Sequence, residues 1–356
     1  LNESIAARHQ RLRRRAQVAS IGSGVVWLLG LILTPLGDAV VTTAVATAWP
    51  LAAVVVIVAL GWELVAAPAV WWLAWRDRQR FRRSADTPPP GLFRDVAVGS
   101  VLTVSGVSLL VTAIQLAGTR WWLVAGLATG VLLLLGTMAA GVISRTGLAS
   151  RAVTRMKLAQ RLSALSARVC GTSVPVREWV DRDRVGLATV TGIGRFGAIL
   201  LSHDLAAEWP EDEVEVVVAH ELAHHCRHDL WRKSAVDAGV ATACAGMAEW
   251  VRVSRDQSLD LLTNDGLMTI PLLVLISLIT WWMLRPIRLA QSRAHERSAD
   301  RLAIEWTGHV EAFRSAIRRM ETRHLVEDRP SRVTRWYFHR HPTVEERLSR
   351  IDAGVQ

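Results

Sequence analysis

Lysine is almost missing from this chain: of 356 residues only Lys157 and Lys233 carry an ammonium, so arginine supplies nearly all of the positive charge. Aromatic variety is missing too. The chain has 16 Trp against 5 Phe and 1 Tyr, a poor basis for a base-stacking surface, so no nucleic-acid partner is expected despite a net charge of +10. Cysteine is scarce and scattered: Cys170, Cys226 and Cys244 are odd in number, and they suggest neither a disulfide framework nor a C-x-x-C metal site. Charge of either sign is also limited. Charged residues make up 21% against 51% hydrophobic, with a mean hydropathy of +0.24, which argues against an ordinary soluble enzyme and for a membrane protein.

The hydrophobic residues fall into long runs. Four lie at about 17–35, 51–75, 96–118 and 121–144, each close to the roughly 20 residues that cross a bilayer as a helix. The first is longer than a signal-peptide core and lacks a small-x-small site after it, so it is expected to remain as a span. Two more runs lie at about 235–251 and 266–284, the former weakened by Asp237 and Glu249. Basic residues gather at the N-terminus, from Arg76 through Arg82 and Arg83 to Arg94, after 144, and after 284, whereas 36–50 holds none. By the positive-inside rule, six spans put both termini and the 145–234 block on the cytoplasmic side. Within the fourth run Gly126 and Gly130 form G-x-x-x-G, a spacing that lets helices approach closely.

The chemistry centres on His220-Glu221-Leu222-Ala223-His224, an H-E-x-x-H motif. On a helix, positions i and i+4 share a face, so the two imidazoles can meet one metal ion. Glu221 sits beside that metal without having to ligate it, as the base for an activated water must. Pro210 followed by Glu211, Asp212 and Glu213 suits the start of a helix, where the dipole favours acids. A catalytic zinc wants a third protein ligand and an open position. Glu296 and Asp300 are also i and i+4. One of the pair can bind zinc, and the other can accept the free N–H of a ligand histidine.

Three motifs in order, H-E-L-A-H, then S-R-x-x-E-x-x-A-D ending at Asp300, then His341-Pro342-Thr343 with Glu346-Arg347-Leu348, resemble the HtpX and CAAX prenyl endopeptidase family of integral-membrane gluzincin metallopeptidases. The resemblance covers roughly 150–356. It implies one zinc ion per chain held by His220, His224 and Glu296, with Glu221 as general base. It implies Asp300 beside a ligand histidine, His341 steadying the tetrahedral intermediate, and Arg347 as the family's nearby arginine. Asp229, five residues after His224, matches the HtpX branch and either orients a histidine or caps a helix. His203, His225, His228 and His295 are not expected to be ligands. Residues 197–202 read as a short strand, and such enzymes hold a peptide along a strand edge, so Ala198, Ile199 and Leu200 are the expected substrate contacts. Relatives often carry Asn-Ala before the glycine matching Gly192, but this chain has Leu187-Ala188 and lacks that side-chain amide.

The expected architecture is mostly α: a polytopic helix bundle with about six transmembrane helices and a cytoplasmic-side, gluzincin-like α+β catalytic domain. Four membrane helices fall in 1–144, the motif helix and edge strand in 145–234, two further spans in 235–286, and the third ligand with the His-Pro motif in 287–356. The expected activity is a membrane zinc endopeptidase in a bacterial cell membrane, acting on peptides or membrane proteins, with HtpX-like quality control as one role. Two alternatives are an antibiotic-sensing signal-transducing metalloprotease and a non-enzymatic metal-binding scaffold.

Overall fold

Long apolar runs fold as helices because a backbone without water must satisfy its own polar groups. The computed structural model describes residues 5–81, 92–147, 149–180, 186–257, 260–261, 263–324 and 330–354. Arg82 and Arg83 of the second basic cluster lie outside the described residues. In chain order the elements are α1 (Ile5–Leu33), α2 (Leu36–Val45), α3 (Pro50–Phe81), α4 (Leu92–Ala117), α5 (Trp121–Ser144), β1 (Ser150–Ala152), α6 (Met156–Cys170), β2 (Val176–Trp179), β3 (Ala188–Thr191), β4 (Ala198–Leu201), α7 (His203–Glu208), α8 (Glu211–Cys226), α9 (Asp229–Ser254), α10 (Asn264–Thr307), α11 (Val310–His324), α12 (Arg332–Phe338) and α13 (Val344–Gly354).

Two compact units divide the chain. One comprises Arg8–Gly130 and Ala238–Arg285, the other chiefly Val131–Asp237 and Pro286–Gln356. The first has a core of aliphatic side chains from α1, α3, α4 and α10, among them Leu28, Val58, Val111, Ile270 and Leu273. Its α5 meets α9 at the G-x-x-x-G pair. A Cβ on Gly126 would sit 1.8 Å from Thr242 Oγ1, so only glycine fits there. A polar knot lies in the same unit: Trp121 Nε1 donates to Glu249 Oε2 (2.8 Å), and Arg252 binds both oxygens of Glu249 (2.8 Å each).

By length and composition, four tracts among the described residues can cross a membrane: Gln10–Leu33, Pro50–Ala69, Val104–Ser144 and Asn264–Thr307. This differs from the expected six. The third and fourth runs form one tract of 41 residues, with a 3-10 turn at Gly118–Arg120 between α4 and α5. The weak fifth run is helical within α9 but is not among the four, because Asp237 and Glu249 interrupt it. The short α2 was not anticipated; it buries Gly37, Val41 and Ala44. Nor does the chain break after the last span. α10 runs for 44 residues through Pro271 and Pro286, so apolar span and charged motif share one helix.

The second unit packs α6, α8, α11 and α13 around a four-stranded sheet. α6 places Leu158, Leu162 and Leu165 on one face, against a core that includes Trp209, Val218, Leu222 and Phe313. The sheet order is β1-β2-β4-β3; β2 and β4 are parallel and the other pairs antiparallel. β4 is therefore interior, which corrects the expectation that Ala198, Ile199 and Leu200 form a substrate-binding edge. Every β4 residue is buried, as a continuous apolar run in a covered strand requires, and both its ladders are already paired. The edge strands are β1 and β3, and β3 is the edge next to β4. The cysteines bring a second correction: Cys170, ending α6, is disulfide-bonded to Cys226, ending α8, with their Cα atoms 5.5 Å apart. Only the fold brings these two helix ends together, across a sequence separation of 56.

Candidate active site

α8 is anchored before it is functional. Val214, Val216, Val218 and Leu222 bury it in the core, and Glu211, Asp212 and Glu213 occupy its first turn. Glu213 accepts from Ser315 (2.7 Å) and from Arg319 (3.0 Å) of α11, which fixes the helix start. His220 and His224 then emerge one turn apart, their Nε2 atoms 3.2 Å from each other. α10 brings Glu296 to both: Oε2 lies 3.4 Å from His220 Nε2, and Oε1 lies 3.5 Å from His224 Nε2.

These donor atoms all lie within 4.8 Å of one another. Two nitrogens bound at 2.0–2.1 Å to a tetrahedral zinc would be roughly 3.3 Å apart, so the imidazole spacing fits that ion. The electrostatics agree. Burial works against charge on both imidazoles, but Asp300 and Glu296 outweigh it for His220, whose pKa is raised. For His224, Asp229 and Glu296 outweigh burial and push the pKa up to about 10. A pocket that stabilises positive charge this strongly, with two imidazoles and a carboxylate converging, suits a dication.

Each imidazole is held from behind. His220 Nδ1 is 2.9 Å from Asp300 Oδ1, and His224 Nδ1 is 2.9 Å from Asp229 Oδ2. At His224 the Asp229 carboxylate takes the Nδ1–H and leaves the Nε2 lone pair facing the metal position; at His220 the Asp300 carboxylate stands close to Nδ1 without hydrogen-bond geometry. Asp229 reaches its place through a sharp turn. His228 adopts φ 57°, uncommon for a residue with a side chain, and α9 begins at Asp229 immediately after it. Asp300 is itself gripped by Arg347 of α13, Nε at 2.8 Å and Nη2 at 2.5 Å. Arg347 thus lies behind Asp300, with two donors engaged there, instead of aiming at a reacting carbonyl.

His341 stands at the mouth. Its Nδ1 is 2.8 Å from Glu296 Oε2, and its side chain is 65% exposed. Glu221 accepts the backbone N–H of Val190 in β3 through Oε2 at 2.8 Å. Backbone groups of one strand residue face the same neighbour in an antiparallel ladder. With Val190 N–H turned to Glu221, the N–H and C=O of Val190 and of Ala188 face away from β4. Sequence reasoning missed this edge; the signal available was the β-branched Thr189-Val190-Thr191 run. The hairpin after β3 turns at Gly192, φ 75°, where a Cβ would lie 2.2 Å from Phe196 O and 2.8 Å from Gly141 Cα.

His203 and His295 stand outside the trio. His203 Nδ1 binds buried Glu178 (2.5 Å), and His295 Nδ1 lies 3.8 Å from Asp229. A second acidic group, Asp212, Glu215 and His309, already holds a cation: Arg161 binds Asp212 (2.6 Å) and Glu215, and reaches His309 Nε2 (3.1 Å).

Residues 149–355 match the model of peptidase family M48. A protease HtpX homolog from Bacteroides fragilis (strain YCH46) is 27% identical over 196 residues, 51% of this chain and 59% of that protein. A protease HtpX homolog from Campylobacter curvus (strain 525.92) is 32% identical over 124 residues, 35% of this chain and 42% of that protein. The chain thus spans about three-fifths or less of the length of these curated relatives. The crystal structure of S. mikatae Ste24p superposes with a TM-score of 0.70 at 14% identity, covering 97% of this chain and 87% of that one. At that identity the likeness is one of fold.

Proposed function

This chain belongs to peptidase family M48, and from that premise we propose that it is a membrane-embedded zinc endopeptidase cleaving peptides or membrane proteins. The observation that carries the reading is the convergence of His220, His224 and Glu296, with Glu221 next in the chain after His220. His220, His224 and Glu296 would hold one zinc ion per chain. Bound there, zinc supplies a Lewis acid for the scissile carbonyl and lowers the pKa of the attacking water.

The protein's own groups do the rest. Asp229 keeps the Nδ1 proton of His224, Asp300 stands at Nδ1 of His220, and Arg347 keeps Asp300 in place. A peptide added antiparallel along β3 would bond to the outward N–H and C=O of Ala188 and to the C=O of Val190, whose N–H Glu221 takes. Glu221 already touches that edge at Val190, so its carboxylate lies where a peptide bond laid on β3 passes. It takes a proton from the attacking water and returns it to the leaving amine. His341, at the mouth, donates towards the developing oxyanion. Basic clusters beside the spans support a bacterial cell-membrane protein with this site on the cytoplasmic side, and the likeness to HtpX homologs supports HtpX-like quality control as its role.

The test is Glu221→Gln in the zinc-loaded, detergent-solubilised protein. Zinc content, read by plasma mass spectrometry, should stay at about one ion per chain. Peptide cleavage should fall by a factor on the order of 10² to 10⁴. Undiminished cleavage, or purified protein that binds no zinc, refutes the reading.

A further inference from the structure

Arg293 has no part in the chemistry above, yet it is buried where a guanidinium is costly to place. It lies on α10 three residues before Glu296 and is 9% exposed. Charged groups taken from water normally end in ion pairs. Among the described residues Arg293 makes none. Its Nη1 donates to two backbone carbonyls, Arg335 O at 3.2 Å and His339 O at 2.9 Å. These lie at the C-terminal end of α12, where Arg335 O also accepts the long His339 N–H bond that closes the helix (3.4 Å) and where a cation is favoured. His339 is two residues before His341.

The far side of that segment is fastened as well. Thr343 and Glu346 form a capping box at the start of α13: Thr343 Oγ1 accepts from Glu346 N (3.2 Å), and Glu346 Oε2 accepts from Thr343 N (3.3 Å). Glu346 also pairs with Arg335. Residues 339–343 are therefore pinned at both ends, by Arg293 and by the capping box. Between them His341 keeps its 2.8 Å approach to Glu296 although most of its side chain faces solvent. A side chain so exposed has little packing of its own, so its position depends on those backbone anchors.

We propose that Arg293 is the positioning residue for His341, holding the end of α12 so that the imidazole stays at the mouth of the ligand cluster. The activity part of this proposal rests on the peptidase reading above; the anchoring part does not. The test compares Arg293→Gln, Arg293→Lys, His341→Ala and the double variant Arg293→Gln/His341→Ala in the full-length, zinc-loaded chain. Hydrogen–deuterium exchange follows residues 332–343, and steady-state kinetics follow peptide cleavage.

In Arg293→Gln, exchange over 339–343 should accelerate while α8 is unchanged. Zinc content and KM should hold, and kcat should fall by about 10- to 100-fold. Arg293→Lys should recover part of the loss, because an ammonium can still reach a carbonyl. The double variant should be no worse than His341→Ala alone, since the arginine acts only through that histidine. Unchanged exchange over 339–343 overturns the proposal. So do losses that multiply in the double variant, or zinc loss with loosening of α8. If the wild-type chain cleaves nothing, the peptidase reading falls and the exchange result alone decides the anchoring.

Discussion

The two compact units satisfy their polar groups in opposite ways. In the unit built from α1 to α4, the start of α5, most of α9 and the first half of α10, aliphatic packing dominates, and the Trp121–Glu249–Arg252 knot is a local exception. In the other unit, charged residues form relays. Arg347 holds Asp300, Asp300 holds His220, and Asp229 holds His224. Helix shape in the first unit follows from composition and tolerates many sequences. Geometry in the second depends on individual pairs, where losing one partner leaves another charge stranded. The same chain thus contains a region robust to single changes and a region that is not.

Four experiments sharpen or break that contrast, in falling order of expected effect. Asp300→Asn removes the charge facing Arg347 and His220, so the site-bearing unit should lose about 3–5 kcal/mol. Denaturant unfolding should show this together with weaker zinc binding; a neutral result would mean the relay is dispensable. Removing zinc with a chelator should cost that unit about 2.7 kcal/mol relative to zinc at a hundredfold excess over its Kd. The apolar helices should keep their circular dichroism throughout. Gly126→Leu forces a side chain into Thr242 of α9 and should cost roughly 2 kcal/mol. The drop should appear in thermal unfolding in detergent while zinc content stays the same, and a fall in zinc content would contradict the separation of roles. Glu249→Gln should be mildest, at about 0.6 kcal/mol, the average of polar pairs between membrane helices. A larger loss in the same unfolding assay would show that this unit also leans on a single polar pair.

Legibility in the sequence follows the same division. The first two spans are readable because a 20-residue apolar run has few other folds available. The metal helix is readable because i, i+4 spacing alone brings His220 and His224 to one face. Which carboxylate stands behind which histidine is not written locally: the Asp300–His220 pair joins residues 80 positions apart on two helices. The sheet order is hidden for a different reason. Its strands are three or four residues long, too short for alternation to separate an interior strand from an edge. The apolar Ala198–Leu201 run therefore reads as the nearer candidate, while the edge strand is Ala188–Thr191. α10 hides its continuity because Pro286 looks like a stop, although membrane-associated helices accommodate proline.

The bond between Cys170 and Cys226 closes a stretch of 56 residues that includes the whole sheet beyond β1. By loop-closure entropy such a crosslink is worth about 4 kcal/mol to the folded state. Bonds of this kind persist in oxidising surroundings and open where glutathione keeps thiols reduced. On the cytoplasmic side proposed above for this unit, the resident form would be two thiols. With the bond formed, the helix that carries both imidazoles is tied covalently to α6; with it open, only the packing between the two helices holds that end.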